Sequence, residues 1–325
     1  MKNIFVTGGA GYVGSVLIPL LIKEGYKVTS VDLMIYGDTL PKHDQLNIIK
    51  GDIRDQNLLE KNLVNQDAVI HLACISNDPS FELNPKLGKS INLDAFEPLV
   101  KISKKNKIRR FIYASSSSVY GIKKEKNVYE DMSLEPLTDY SKFKADCEKI
   151  LSMYSSDEFI TTSIRPATVC GYSKRQRLDL VVNILTNHAY HNKKIKVLGG
   201  DQLRPNIHIH DMCMSYLKIL NSPKEKINNQ AFNVGFENHS VSDLADLVKK
   251  NISDDIEIIK TATNDNRSYH VSSEKISNLL DFQPQKNIEN AVIDLKKAFN
   301  ENLLINTFDN EFYFNIKRMN NINLK

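Results

Sequence analysis

A phenol and an ammonium group lie one helical turn apart at Tyr140 and Lys144, in the segment Tyr140-Ser141-Lys142-Phe143-Lys144. Residues at this spacing share one face of a helix. A free tyrosine has a pKa of about 10 and is a poor base at neutral pH, but a neighbouring ammonium favours the phenolate and lowers that pKa. The pair therefore predicts a tyrosine that takes a proton from a substrate hydroxyl. The alternative is an ordinary helix with a buried tyrosine and a solvated lysine.

A run of serines favours the catalytic interpretation. Ser115 to Ser118 follow the apolar segment Arg110–Ala114 and precede Val119-Tyr120-Gly121. The apolar segment predicts a strand, and open α/β sheets bind their ligands at the carboxyl ends of strands. Hydroxyl groups at such a strand end are well placed to act together with a tyrosine.

Three glycines near the start of the chain predict a site for a dinucleotide. Gly8, Gly11 and Gly14 directly follow the apolar run Ile4-Phe5-Val6. Glycines there permit a tight turn and close approach of a ligand, and the next helix directs its N-terminus at a pyrophosphate. Asp32 closes the second predicted strand, where a carboxylate accepts hydrogen bonds from ribose hydroxyls and repels a 2′-phosphate. This pattern predicts NAD rather than NADP; the alternative for Asp32 is a turn residue.

The elements that position these residues alternate along the first half of the chain. Strands separated by amphipathic helices predict a doubly wound parallel α/β sheet of the Rossmann type over residues 1–166. Residues 167–325 are predicted to form a smaller, mixed α/β substrate domain, with some elements packing back on the first. The predicted strands are Ile4–Val6, Lys27–Val31, Asn47–Lys50, Ala68–Leu72, Arg110–Ala114 and Thr161–Ile164, and the predicted helices are Val16–Glu24, Gln56–Val64, Pro85–Lys105, Asp139–Tyr154 and Leu178–Tyr190.

Composition excludes several classes of function. The chain has 325 residues and a net charge of +4, with lysines dispersed rather than clustered, which gives no support for nucleic-acid binding. It contains no apolar stretch long enough for a membrane span or signal peptide. Its four cysteines are scattered without metal-ligand spacing, so we expect no metal site. These features predict a cytoplasmic protein with reduced cysteines.

Together, the glycine pattern, the serine string and the tyrosine–lysine pair resemble the extended short-chain dehydrogenase/reductase family, in particular its NAD-dependent nucleotide-sugar epimerase/dehydratase group. The resemblance implies that Ser116 is the third catalytic residue beside Tyr140 and Lys144, although Ser117 remains an alternative. It also implies that Lys144 binds the nicotinamide ribose. The residues predicted to bind NAD are Gly8, Gly11, Tyr12, Val13, Gly14, Asp32, Asp52, Ile53, Leu72, Ala73, Asn92, Ser115, Tyr140, Lys144, Pro166 and Val169.

The same serine string discriminates among the reactions of this group. Related 4,6-dehydratases and decarboxylases carry carboxylates where this chain has Ser117 and Ser118. We therefore expect a 4-epimerase that oxidises the sugar transiently at C4. A C4 dehydrogenase or reductase and a 4,6-dehydratase remain alternatives, because Asp78 or Asp179 could supply the missing carboxylate. A non-catalytic NAD-binding sensor is the more distant alternative.

The resemblance also implies a nucleotide-sugar substrate and a homodimer. Arg204 and Arg267 resemble two arginines that bind the nucleotide diphosphate, and a guanidinium pairs phosphate oxygens bidentately. The dimer would pair the helices Pro85–Lys105 and Asp139–Tyr154, whose apolar residues could equally belong to the core. The residues predicted to contact the substrate are Asn77, Ser116, Ser117, Arg177, Asp179, Arg204 and Arg267.

Overall fold

Seven parallel strands form the central sheet of the protein. A computed structural model describes residues 1–125, 127–263, 270–322 and 324. The strand order is β10-β6-β5-β4-β1-β2-β3, which confirms the doubly wound parallel sheet. The strands are β1 Asn3–Thr7, β2 Lys27–Asp32, β3 Leu46–Lys50, β4 Ala68–His71, β5 Arg110–Ala114, β6 Ile160–Pro166, β7 Thr168–Cys170, β8 Lys194–Leu198, β9 Leu203–His208, β10 Gln230–Val234, β11 Glu237–Ser240 and β12 Glu257–Thr261.

Helices cover both faces of this sheet because its strands are apolar on both faces. In β1, Ile4 and Val6 belong to one apolar core and Phe5 to the other. The first core packs against α1 and α8, and the second against α2, α5 and α6. The helices are α1 Gly14–Lys23, α2 Gln56–Asn62, α3 Asp78–Glu82, α4 Pro85–Lys89, α5 Phe96–Lys105, α6 Asp139–Tyr154, α7 Val181–Asn192, α8 Ile209–Asn221, α9 Lys224–Ile227, α10 Val241–Ile252, α11 Glu274–Leu280, α12 Ile288–Asn300 and α13 Asn315–Asn321.

The later part of the chain builds two small sheets and returns one strand to the large sheet. One small sheet has the order β11-β9-β7 and the other pairs β12 with β8. Helices α7, α10 and α12 enclose a separate apolar core beside them. Strand β10 pairs with β6 and extends the large sheet. The division of the chain at residue 166 stays a prediction.

One predicted helix is interrupted. The range Pro85–Lys105 consists of α4, a π-helical turn over Ser90–Asp94, and α5. Within the turn, Asn92 exchanges two hydrogen bonds with the backbone of Ile75. The prediction of one regular helix was therefore wrong in its middle, where a contact with a distant segment accompanies the wider turn. Such turns occur frequently at functional sites.

The strand register brings the chemistry-bearing segments to one edge of the large sheet. Thr7 at the end of β1 pairs with His71 of β4, and His71 pairs with Tyr113 of β5. The glycine turn, the loop after β4 and the serine string follow these strands directly. Because the strands are parallel, all three loops leave the sheet at the same edge.

Candidate functional site

The turn after β1 has a backbone that glycine alone fits. Gly8 has a φ of +74°, and a Cβ there would lie 2.6 Å from the backbone nitrogen of Ala73. A Cβ on Gly14 would lie 2.5 Å from the carbonyl oxygen of Gly9. At Gly11 the nearest atom to such a Cβ is the Gly8 oxygen at 3.1 Å. Gly8 and Gly14 are therefore required by the packing of the turn, whereas Gly11 faces the cavity above it.

A cavity of about 390 Å³ lies over this turn along the carboxyl edge of the sheet. It extends from Asp32, the last residue of β2, to Tyr140 on α6, since both residues line it. Fourteen of the residues predicted to bind NAD line it: Gly8, Gly11, Tyr12, Val13, Gly14, Asp32, Ile53, Leu72, Ala73, Ser115, Tyr140, Lys144, Pro166 and Val169. The glycine turn, this shape and the carboxylate at one end fit a dinucleotide.

Asp32 is held in place by the backbone around it. Its two carboxylate oxygens accept hydrogen bonds from the backbone N–H groups of Ala10, at 3.0 Å, and Met34, at 2.7 Å. Burial raises the pKa of Asp32 above its ordinary value, and these N–H groups oppose that shift. A carboxylate fixed beside the cavity in this way can accept hydrogen bonds from ribose hydroxyls with its remaining lone pairs.

Two residues predicted to bind NAD do not line the cavity. Asp52 forms an ion pair with Arg54, with 2.6 Å between Asp52 Oδ2 and Arg54 Nη2. The neighbouring Ile53 does line the cavity. Asn92 accepts a hydrogen bond from the Ile75 N–H at 2.8 Å and donates one to the Ile75 carbonyl at 3.0 Å. Because Ile75 lines the cavity, Asn92 shapes the cavity wall through Ile75.

Tyr140, Ser116 and Lys144 meet at the other end of the cavity. Helix α6 and the serine string place the Tyr140 and Ser116 side chains near each other in the cavity wall. Lys144 donates a hydrogen bond to the Ala114 carbonyl at 2.6 Å, and its ammonium lies 5.8 Å from the centroid of the Tyr140 ring. Ser116 also lies 2.8 Å from the hydroxyl oxygen of Ser118. A proton can therefore pass between neighbouring hydroxyl groups here.

The protonation of Tyr140 depends on opposing effects. Burial raises the pKa of Tyr140 above its usual value, and the charges of Cys74 and Asp78, in their ionised forms, act in the same direction. The Arg177 guanidinium and the hydrogen bond with Ser116 lower it. A further positive charge in the cavity would favour the phenolate.

A buried ion pair supports the strand end beneath these residues. The Ser115 hydroxyl donates a hydrogen bond to Glu148, and Glu148 accepts another from Arg165 Nη2 at 2.7 Å. Arg165 also donates to the Tyr120 hydroxyl at 2.7 Å. Glu148 and Arg165 are both buried, so removal of one partner would leave a buried charge unpaired. This network fixes Ser115 at the cavity wall.

A second, smaller cavity of about 180 Å³ adjoins the first. Asp78, Ser118 and Thr168 line both cavities, and Arg204 lines the second. Of the other residues predicted to contact the substrate, Asn77, Ser116, Ser117 and Arg177 line the first cavity. Asp179 accepts a hydrogen bond from Arg177 Nε at 2.9 Å. Arg267 lies outside the described residues.

Asn77 has an unusual backbone conformation at the entrance to α3. Its φ of 75° and ψ of 153° fall in a region that side-chain-bearing residues rarely adopt, and its side chain caps the helix by accepting a hydrogen bond from the Ser80 N–H. Next to it, Asp78 accepts a hydrogen bond from the Thr138 hydroxyl. Strained residues of this kind cluster at binding sites.

Many residues of the cavity wall were not among the predicted site residues, and three of them come from separate parts of the chain. Tyr36 follows β2, Arg175 precedes α7, and Leu324 lies at the end of the chain. Arg175 lies in the polar segment 173–177, and its charge was the available signal. Leu324 carried none, because the segment after residue 300 has no clear periodicity.

Two further expectations concern metal sites and membrane spans. Among the described residues, no set of three or more His, Cys, Asp or Glu side chains is arranged to hold a metal ion. Within that same part of the chain, no helix is both long and apolar enough to cross a membrane. The four cysteines are free thiols, three of them buried.

Comparison with known proteins adds a family. A model described as the NAD dependent epimerase/dehydratase family matches residues 4–235. A UDP-glucose 4-epimerase of Lactobacillus helveticus is 26% identical over 251 residues, 72% of this chain and 76% of that protein. The UDP-N-acetylglucosamine 4-epimerase from Methanobrevibacter ruminantium M1, solved in complex with UDP-N-acetylmuramic acid, superposes with a TM-score of 0.84 at 26% identity and covers 93% of this chain and 99% of its own. MoeE5, solved in complex with UDP-glucuronic acid and NAD, shares the fold, with a TM-score of 0.81 at 24% identity over 93% of this chain and 100% of its own.

Proposed function

This chain belongs to the NAD dependent epimerase/dehydratase family, and we propose that it is a nucleotide-sugar 4-epimerase that oxidises its substrate transiently at C4. The observation that carries this proposal is that Tyr140, Ser116 and Lys144 line one cavity, with the Lys144 ammonium 5.8 Å from the centroid of the Tyr140 ring. These groups lie in the same cavity as the glycine turn and Asp32, which fit NAD.

In the proposed reaction, the Tyr140 phenolate takes the proton of the C4 hydroxyl. Ser116 donates a hydrogen bond to the C4 oxygen and keeps its own proton. Lys144 keeps a positive charge beside the phenol, which favours its ionised form. NAD, when bound, would supply the acceptor for the hydride from C4, and return of that hydride to the opposite face of the keto sugar would invert C4. Tyr140 then gives the proton back to the sugar oxygen.

The nucleotide-linked substrate is proposed to occupy the smaller cavity. Arg204 lines it, and this cavity meets the NAD cavity at Asp78, Ser118 and Thr168. A sugar at that junction would be within reach of Tyr140, and its diphosphate would extend towards Arg204. Arg267 is proposed as the second arginine on the diphosphate, as the family resemblance implies.

A 4,6-dehydratase is the second candidate, and Asp78 is the observation that favours it. Removal of water from the sugar needs a group that delivers and takes protons beyond C4. Ser117 and Ser118 offer no carboxylate, but Asp78 lines both cavities and influences the pKa of Tyr140. A dehydratase would depend on this carboxylate, whereas a 4-epimerase would not need its proton transfer.

Analysis of products separates the candidates. The purified full chain with NAD is incubated with UDP-, GDP-, CDP- and dTDP-linked hexoses, and the products are examined by mass spectrometry and NMR. A 4-epimerase gives a product of unchanged mass with C4 inverted and no net NADH. A product lighter by one water, lost in Asp78→Asn, would establish the dehydratase instead, and accumulation of NADH with a keto product would establish a dehydrogenase.

The assembly and location of the enzyme are further parts of the proposal. We infer a homodimer formed through α5 and α6 and a cytoplasmic location. On α6, Phe143, Ile150 and Tyr154 are only partly buried, and Met153 is 73% exposed, so this helix offers apolar surface to a second copy. Sedimentation of the wild type and of a Met153→Lys variant tests the dimer, since the charge would weaken an interface there.

A further inference from the structure

Two arginines from the loop before α7 face the glycine turn across the NAD cavity. Arg175 and Arg177 both line that cavity and are 3% and 8% exposed. The Arg175 guanidinium stacks 3.7 Å from the centroid of the Tyr36 ring. Arg177 Nη1 lies 3.4 Å from the Ser76 hydroxyl, on the loop after β4.

The loop that carries these arginines is bonded directly to the glycine turn. Ser173 donates a hydrogen bond to the Tyr12 carbonyl at 2.9 Å and lies 2.6 Å from the Ser15 hydroxyl. The Tyr12 hydroxyl donates to the Gly171 carbonyl at 2.7 Å. The arginines are therefore fixed over the segment where a helix N-terminus receives a pyrophosphate.

A carboxylate pairs with one of the two guanidinium groups, that of Arg177, whereas the Arg175 side chain donates hydrogen bonds to neutral oxygens. Asp179 accepts a hydrogen bond from Arg177 Nε at 2.9 Å, but Arg175 is paired with the neutral amide oxygen of Asn315. Arg175 Nε and Arg177 Nη2 are buried, and no atom of the described residues accepts a hydrogen bond from either. Burial and the charge of Arg177 lower the pKa of Arg175 to about 10. Buried charges are costly unless paired, so this arrangement is suited to an anion.

The position of the pair points to the middle of the dinucleotide. Arg175 acts electrostatically on Asp32, at the adenosine end, and Arg177 on Tyr140, at the nicotinamide end. Neither arginine is among the residues that line the smaller cavity beside Arg204. The group between the two ends of NAD is its pyrophosphate, which carries two negative charges.

The end of the chain holds this arrangement together. Asn315, the first residue of α13, binds Arg175 through Oδ1, donates through Nδ2 to the Ser76 hydroxyl at 3.0 Å, and donates through its backbone N–H to Asp179 at 3.0 Å. Asn315 is 1% exposed. One residue, through its side chain and its backbone N–H, thus connects both arginines, directly or through Asp179, to the loop after β4.

We propose that Arg175 and Arg177, positioned by Asp179 and Asn315, bind the pyrophosphate of NAD from the side opposite the glycine turn. The ligand is then enclosed between the turn after β1 and a loop from the second half of the chain. Arg177 thereby acts on the cofactor, although the sequence had placed it among the substrate contacts. This inference depends on NAD as the family's cofactor and not on the proposed C4 chemistry.

Calorimetric titration of the nucleotide-free full chain tests the proposal without any turnover. The probes are NAD, ADP-ribose, adenosine and UDP, and the variants are Arg177→Met, Arg175→Met and Asn315→Ala. In Arg177→Met we expect NAD and ADP-ribose to bind about 10- to 100-fold more weakly, the loss expected for one charge-assisted hydrogen bond. Adenosine and UDP should bind as they do to the wild type. Asn315→Ala, which leaves both charges in place, should show a smaller loss of the same pattern.

Lys174→Gln is the matched control, because it removes an exposed positive charge from the same loop. It should leave all four affinities unchanged, which separates a local contact from the general field of the protein. Thermal unfolding without nucleotide checks that the variants fold. Unchanged affinity for NAD and ADP-ribose in folded Arg177→Met and Arg175→Met would overturn the proposal. So would an equal loss for adenosine, or a loss for UDP in place of NAD.

Discussion

Tyr140 lies in a buried setting that favours the protonated phenol. Burial raises its pKa, whereas Ser116 and Arg177 lower it. The Lys144 ammonium lies 5.8 Å from the centroid of the Tyr140 ring and donates a hydrogen bond to the Ala114 carbonyl. Oxidised nicotinamide is positively charged, so a cofactor bound in the neighbouring site would lower the pKa of Tyr140 and favour the phenolate.

Replacement of Tyr140 by phenylalanine removes one oxygen atom and so tests the role of the phenol in proton transfer. Tyr140→Phe should lower kcat by roughly two to four orders of magnitude, the contribution of a positioned proton-transfer group. NAD affinity should stay near that of the wild type. Steady-state kinetics and NAD titration measure the two effects. Tyr129→Phe, which removes a phenol outside both cavities, is the control; turnover near the wild-type rate in Tyr140→Phe would remove Tyr140 from the mechanism.

Ser116 and Ser117 are neighbours in the serine string, and replacing each by alanine shows which hydroxyl is needed for turnover. Ser116 contacts Tyr140 through its hydroxyl, whereas Ser117 begins a short 3₁₀ turn and is 4% exposed. Ser116→Ala should reduce kcat about ten- to a thousandfold, as when one donor to a reacting oxygen is lost. Ser117→Ala should cost clearly less. If kinetic measurements gave the reverse order, the catalytic hydroxyl would be Ser117.

At the scale of elements, the start of α6 links helix stability to the site. Thr138 caps the helix by accepting a hydrogen bond from the Ser141 N–H with its side chain. The Ser141 hydroxyl oxygen in turn accepts a hydrogen bond from the Thr138 N–H. The same Thr138 hydroxyl donates to Asp78, which lines both cavities. The cap therefore sets the position of the first turn, which carries Tyr140, against the loop after β4.

A pair of capping variants separates these two roles. Thr138→Ala and Ser240→Ala each remove a capping box, the second at the start of α10 and away from both cavities. Each should lower the free energy of unfolding by about 1 kcal/mol. Only Thr138→Ala should also lower kcat/KM, because it alone releases Asp78. Denaturant unfolding and kinetics check this, and equal kinetics in the two variants would contradict it.

Local patterns predicted most elements of the large sheet correctly. The predicted strand Arg110–Ala114 coincides with β5, and Lys27–Val31 lies within β2. These strands are apolar runs bounded by turns, so periodicity and length suffice. The interruption of the helix over residues 85–105 was not predicted, because the side-chain bonds of Asn92 to Ile75 join segments that are separate in the sequence.

At the scale of the whole molecule, the cofactor cavity is closed by contacts that no local pattern contains. Tyr12 bonds to Gly171, and Asn315 bonds to Ser76. The glycine turn and the tyrosine–lysine pair were recognisable because their spacing within one turn or helix defines their chemistry. Arg175 and the segment around α13 reach the site only through tertiary packing. Their roles could be seen only after the two halves of the chain were placed together.

Arg204 and Arg267, the two arginines proposed to bind the substrate diphosphate, come from distant parts of the chain. Their replacement provides the final test at this scale. Arg204→Gln and Arg267→Gln should each weaken UDP binding by about one to two orders of magnitude if UDP is the nucleotide carrier, from the free energy of one charge-assisted contact. NAD affinity should barely change, since its pyrophosphate lies at the glycine turn. Both side chains would bind one diphosphate, so the double-mutant cycle should be non-additive.

Arg109→Gln is the matched control for these two variants, since that side chain is 61% exposed and paired with Asp67. Titration with UDP, GDP, CDP and dTDP also identifies the nucleotide, because only the preferred one should respond strongly to both substitutions. A wild-type affinity for every diphosphate in both variants would mean that the smaller cavity does not hold the nucleotide. The epimerase proposal would then depend on the tyrosine, the serine and the family alone.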